Sequence, residues 1–163
     1  MTGHASIDPA LDLVLERFID VPAELVWRAW TEPEHLKAWF VPAPWSVARC
    51  SIDLRPGGAF HTVMRSPEGE EMDEGAGCIL EVVPNRRLAW TSALGPAFRP
   101  RIAGADGLPF SAVITMEPRG NGTDYRALVR HADPASRERH EEMGFHDGWG
   151  AMHEQLVAHT KTI

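Results

Sequence analysis

Lysine is nearly missing from this 163-residue chain, which has only Lys37 and Lys161; tyrosine occurs once and cysteine twice. No stretch approaches the ~20 consecutive apolar residues that a bilayer span requires. The opening segment, MTGHASIDPALD, has no basic start and no apolar middle, so no secretory signal is expected and the expected location is cytoplasmic. Cys50 and Cys78 lack CxxC or histidine spacing around them, which predicts two small buried thiols rather than a metal site. Basic runs are also absent: 16 basic against 23 acidic residues leave a net charge of −7. Such a surface repels phosphate backbones and anionic lipid, so neither nucleic acid nor membrane is an expected partner. Without repeats, low-complexity tracts or a composition break, the chain reads as one domain over residues 1–163, with 1–10 as an N-terminal tail.

What is present is an ordinary apolar fraction of 44% patterned at two periods. A chain of this length can bury roughly 68–70% of its unfolded surface without metal or disulfide. Alternation predicts strands over Leu13–Ile19, Val47–Leu54, Ala59–Arg65, Ala76–Val83, Leu88–Ser92, Ser111–Met116 and a last one through Tyr125, Ala127 and Val129. In them Phe60, Thr62 and Met64 share a face, as do Cys78, Leu80 and Val82. Arg17 falls in phase with Leu13, Leu15 and Ile19, which predicts that its charge is met at the sheet edge or by a carboxylate. Pro56-Gly57-Gly58, Pro67-Glu68-Gly69, Pro84-Asn85 and Gly120-Asn121-Gly122 are hairpin turns, so the sheet is expected to be antiparallel. After the first strand, Pro22 opens a short helix, and Thr31-Glu32-Pro33-Glu34 reads as the capping box of a second running to about Trp39. Ala93–Pro109 lacks periodicity and is read as a mobile loop, of the kind that covers binding sites.

Asp133-Pro134 is a strong helix start, and Pro134 to Lys161 reads as one uninterrupted amphipathic helix. Phe145, Trp149, Met152 and Leu156 fall in a narrow arc, with Glu142, His146 and His153 along one flank. Gly144, Gly148 and Gly150 each cost the helix about 1 kcal/mol relative to alanine, so something is expected to need the room. A long helix closing a curved antiparallel sheet predicts an α+β container with a hollow between the two.

Several stretches carry a resemblance to a known family. These are Val21-Pro22-Ala23 with Val26-Trp27, Trp30-Thr31-Glu32-Pro33-Glu34 running into Trp39-Phe40, and Asp53-Leu54-Arg55-Pro56-Gly57-Gly58 before Phe60. Leu80-Glu81-Val82-Val83-Pro84 before Arg87-Leu88, and Gly148-Trp149, complete the set. Together they resemble the activator of Hsp90 ATPase homologue 1-like branch of the START/Bet v 1-like superfamily, over residue 11 to the end. The resemblance implies the helix-grip fold: about seven curved antiparallel strands around a long C-terminal helix, with two short helices after the first strand. It also implies a deep cavity used elsewhere for apolar molecules, without implying one activity.

His140-Glu141-Glu142-Met143-Gly144-Phe145-His146 is not a metal motif: its histidines lie about 120° apart on a helix, and His146 and His153 stand two turns, roughly 10 Å, apart. No metal or cofactor is expected. Glu142, His146 and His153 are expected at the polar edge of the hollow, as a satisfied structural pair, as ligand contacts, or with His146 and Glu142 as a general acid and base. Phe60, Met64, Leu80, Trp90, Ile114, Tyr125, Phe145, Trp149 and Met152 are the expected apolar wall. The resemblance places Trp39 with Phe40, and Trp45, at its wall or mouth. His61 and His131 are expected to be solvated.

The leading expectation is a binder of a small, mostly apolar or amphipathic molecule. The alternatives are an enzyme of cyclase, hydratase or hydrolase type using His146 and Glu142, and an Hsp90 co-chaperone. Exposed strand edges need cover, which a homodimer is one way to supply.

Overall fold

The computed structural model describes residues 6–102 and 107–163. The chain runs β1 (Asp12–Ile19), α1 (Ala23–Thr31), α2 (Pro33–Leu36), β2 (Ser46–Ile52), β3 (Ala59–Arg65), β4 (Glu71–Met72), β5 (Gly77–Val83) and β6 (Arg87–Thr91). It continues through β7 (Leu94–Gly95), β8 (Arg99–Pro100), β9 (Ser111–Arg119), β10 (Gly122–Arg130), α3 (Pro134–Glu142) and α4 (Phe145–Thr160). The main sheet has the order β1-β10-β9-β6-β5-β3-β2, with β4 beside β3, and every pair is antiparallel. Among the described residues no helix is long and apolar enough to cross a membrane.

β1 and β2 are opposite edges of this sheet, although they are consecutive strands. A tight turn cannot join them, and α1 and α2 carry the chain across. Val26, Ala29 and Trp30, at i, i+3 and i+4, are the fully buried stripe of α1. The capping box does not form. Thr31 stays in α1, its hydroxyl donating to the Trp27 carbonyl at 2.7 Å, and Glu32 precedes α2 without a side-chain cap. Trp30 lies at the centre of the core with Leu36, Trp39, Ile114, Tyr125 and Leu156. Its Nε1 donates to the Tyr125 hydroxyl at 3.1 Å, and Trp39 Nε1 donates to the Ala29 carbonyl at 3.0 Å. Arg17 is exposed on the β1 edge, where Nη1 donates to the Glu16 carbonyl at 2.7 Å.

Two expectations fail for backbone reasons. The register of β5 against β6 slips between Ile79 and Glu81, so Leu80 is the extra residue of a β-bulge. Alternation is broken there: Ile79 and Val82 contact the core and Leu80 does not. The C-terminal helix is also broken. Asp133 caps α3 as expected, accepting from the Ser136 amide at 2.7 Å, but Gly144 takes φ +97° and ψ 38°. That left-handed residue ends α3, and α4 starts anew at Phe145.

The 93–109 stretch holds structure of its own. β7 and β8 form a small hairpin, tied to the sheet by the Ala97 amide donating to the Gly57 carbonyl at 2.8 Å. Residues 103–106 of that stretch, and 1–5 of the N-terminal tail, lie outside the described residues.

Candidate functional site

A cavity of about 440 Å³ lies between the sheet, the α3–α4 junction and the segments around Val41 and Phe110. The sheet contributes Phe60, Thr62, Met64, Gly77, Trp90 and Thr91, and the junction contributes His140, Met143, Gly144, Phe145, Gly148, Trp149 and Met152. The lining is largely a run of aromatic rings in contact. Phe60 stacks on Trp90 at 4.7 Å and 13°, Trp90 meets Phe110 at 5.5 Å, Phe110 meets Trp149 at 6.3 Å, and Trp149 meets Phe145 at 5.4 Å. Edge-to-face and stacked contacts of this kind hold rings at fixed angles. The helix glycines explain the space: a Cβ on Gly148 would meet nothing within 4 Å.

Polar groups around the cavity are mostly engaged. Thr91 Oγ1 donates to the Phe110 carbonyl at 3.1 Å. Ser92 Oγ accepts from the Phe110 amide at 3.1 Å and donates to the same residue's carbonyl at 3.4 Å. Arg101 donates to the carbonyls of Glu74 and Ser92, clasping the end of the β7–β8 hairpin to the segment preceding β5. Trp90 Nε1 is buried with no partner, and Thr62 has no side-chain hydrogen bond, among the described residues. His140 is the imidazole on the wall. Its Nδ1 lies 2.9 Å from His131 Nε2, and His131 Nδ1 lies 2.8 Å from the Leu11 carbonyl. His131 is therefore buried, not solvated, because its ring links α3 to the chain entering β1. Burial, then the neighbouring His131, pushes the His140 pKa down to about 4.

Of the residues read from the sequence as wall or mouth, Phe40, Phe60, Met64, Trp90, Phe145, Trp149 and Met152 border the cavity. Trp39, Ile114 and Tyr125 are instead solid core. Desolvation raises the Tyr125 pKa against the opposing effect of Trp30. Trp45 is 37% exposed, and the β5 bulge takes Leu80 away from the wall. His153 is buried in the core beside the Tyr125 ring, at 5.2 Å, with Nδ1 unpartnered among the described residues. Its pKa falls to about 4 through burial, then the charge of Arg17.

Glu142 and His146 are exposed, outside the cavity. A pair four residues apart meets only on a continuous helix, and the left-handed Gly144 between them interrupts it. His146 Nε2 instead lies 3.0 Å from Glu141 Oε2. That hydrogen bond, then desolvation and the Arg137 contact in opposition, leaves the Glu141 pKa below the usual carboxylate value. Sequence reasoning missed His140 and Phe110 as wall residues. In the sequence His140 invites only a metal reading, and Phe110 ends a stretch without periodicity.

Concave antiparallel sheet, short helices between its edges and a C-terminal helix over a hollow define the helix-grip fold of the START/Bet v 1-like class, one that supports a ligand-binding domain. The chain belongs to the family described as activator of Hsp90 ATPase homolog 1-like protein, whose profile matches residues 20–161. It is similar to protein NE0264 from Nitrosomonas europaea, with 50% identity, TM-score 0.89, and 96% of this chain and 97% of that one covered. A protein from Arthrobacter aurescens shares the fold at 21% identity and TM-score 0.80, covering 94% of this chain and 88% of that one. The AHSA1-like protein from Aeromonas hydrophila does so at 18% and 0.66, covering 93% and 92%. None of the curated proteins matches the chain.

Proposed function

We propose that the protein binds a small, mostly apolar molecule in the cavity between the sheet and the α3–α4 junction. The observation that carries this reading is an aromatic-lined space of about 440 Å³ that the side chains of the described residues leave unfilled. Its size falls within the roughly 300–1,000 Å³ of small-molecule sites, and its lining has their character: rings and methionine with few polar groups. The enzyme reading built on His146 and Glu142 loses its ground, because neither side chain borders the cavity.

Gly148 provides the test. Gly148→Leu projects an isobutyl group into the open space and replaces a helix glycine with a strong helix former, so lost binding is not confused with lost folding. Naphthalene titrated into the wild-type protein is expected to quench tryptophan fluorescence saturably, and Gly148→Leu is expected to abolish this. Equal quenching in both proteins would put the apolar guest elsewhere. Native mass spectrometry of gently purified protein is expected to show a retained compound, released by Trp149→Ala.

A further inference from the structure

Among the cavity's polar groups, His140 has an orientation and a tautomer that its surroundings dictate. A carbonyl oxygen only accepts, so His131 Nδ1, 2.8 Å from the Leu11 oxygen, carries the proton. In the neutral ring so fixed, His131 Nε2 is a bare lone pair. His140 Nδ1, 2.9 Å away, must then be the donor. Neutral His140 therefore has its own lone pair on Nε2.

His140 is only 9% exposed. Phe110 at 5.0 Å and Phe145 at 5.2 Å hold the ring from two sides. Nε2 has no partner among the described residues, it is not among the sealed polar atoms, and its side chain borders the cavity. The depressed pKa keeps the imidazole neutral near pH 7. Other wall groups do not discriminate in this way: the unpartnered Trp90 Nε1 is itself sealed by its surroundings. Thr91 and Ser92 hydroxyls are spent on Phe110, and the Thr62 hydroxyl can turn to donate or accept. Glu74 and Arg101 both border the cavity with opposite formal charges, so the wall has no net preference for an ion.

We propose that His140 selects the guest: the cavity takes an uncharged apolar ring compound bearing one O–H or N–H donor, which bonds to Nε2. The same skeleton offering only acceptor oxygens there meets a lone pair and is turned away. His131 is the positioning residue that dictates the tautomer. The inference rests on the cavity being the binding site proposed above.

The test compares 2-naphthol with 2-methoxynaphthalene, which differ in the O–H, by calorimetric titration. Wild-type protein is expected to favour the naphthol by roughly tenfold beyond the ratio shown by His140→Phe. An identical ratio in the two proteins overturns the selector and leaves the cavity reading standing. Binding of neither probe to wild type sinks both. In His131→Phe the Nδ1 proton loses its acceptor and can move to Nε2, so preference is expected to shift toward the ether; full retention of the wild-type preference overturns the relay. Long-range proton–nitrogen NMR of the unmutated protein is expected to find the His140 proton on Nδ1, and a proton on Nε2 overturns the proposal without any variant having to fold.

Discussion

At the end of the sheet covered by α1, Trp30 and Trp39 meet edge-on at 4.8 Å within solid core. At the end covered by the α3–α4 junction, Phe145 and Trp149 stand against a cavity of about 440 Å³. Both ends are rich in aromatic rings, so ring content does not decide which one fills. The backbone does. α1 is an unbroken helix whose buried stripe seats on the strands, whereas the junction is bent at Gly144 and thinned at Gly148. The ends also differ in how they treat indole N–H groups. Trp30 and Trp39 both donate to protein acceptors, while Trp90 beside the cavity finds none.

The sharpest way to break this comparison is to truncate one tryptophan at each end. Trp30→Ala removes a fully buried ring and its bond to Tyr125, and is expected to cost about 3–5 kcal/mol in urea denaturation. Trp149→Ala, at a half-buried wall position, should cost well under half of that while eliminating retention of an apolar guest. Equal costs would mean that the hollow end is packed as tightly as the solid one.

Next comes pH. His153, buried at the solid end, has a folded pKa near 4, below the ordinary imidazole value near 6.5. The unfolded chain therefore binds the extra proton first, and stability is intact above about pH 6.5 and declines as pH falls toward 4. The expected loss is roughly 1–3 kcal/mol. Denaturation curves of His153→Phe should show a shallower decline across that window; an unchanged slope would mean that His153 is already protonated in the folded protein.

Gly144→Ala puts a Cβ on a residue at φ +97°, with an expected loss of about 1–2 kcal/mol by thermal or urea unfolding. The smallest effects come from two glycines of α4 that differ only in what they face. A Cβ on either Gly148 or Gly150 meets nothing within 4 Å, so each alanine variant should gain about 0.5–1 kcal/mol. Gly148 borders the cavity and Gly150 does not. Only Gly148→Ala should weaken naphthalene binding.

The strands were legible because alternation is local: β2, β3, β9 and β10 sit within a few residues of where pattern places them. The helix start at Asp133-Pro134 was legible for the same reason, since a cap and its amide are three residues apart. Phase within β5 was not, because the bulge at Leu80 answers to the partner strand β6. Nor was the helix break. Glycine at 144 announces freedom to turn, but whether the chain turns depends on what α3 and α4 pack against. That one bend moved Glu142 and His146 out of the cavity, while His140 borders it.

From its own pattern the chain dictated the order of its main strands and the place of its helices, the antiparallel pairing by hairpins, and the apolar stripe of Phe145, Trp149 and Met152 facing inward. These follow from neighbours within one strand or a few helical turns. Only the tertiary structure decided which aromatics plug the sheet and which surround a space, and which nitrogen of His140 is left bare. The physical reason is separation along the chain: Trp30 meets Tyr125 and His131 meets Leu11 across about a hundred residues or more, contacts that no local periodicity encodes.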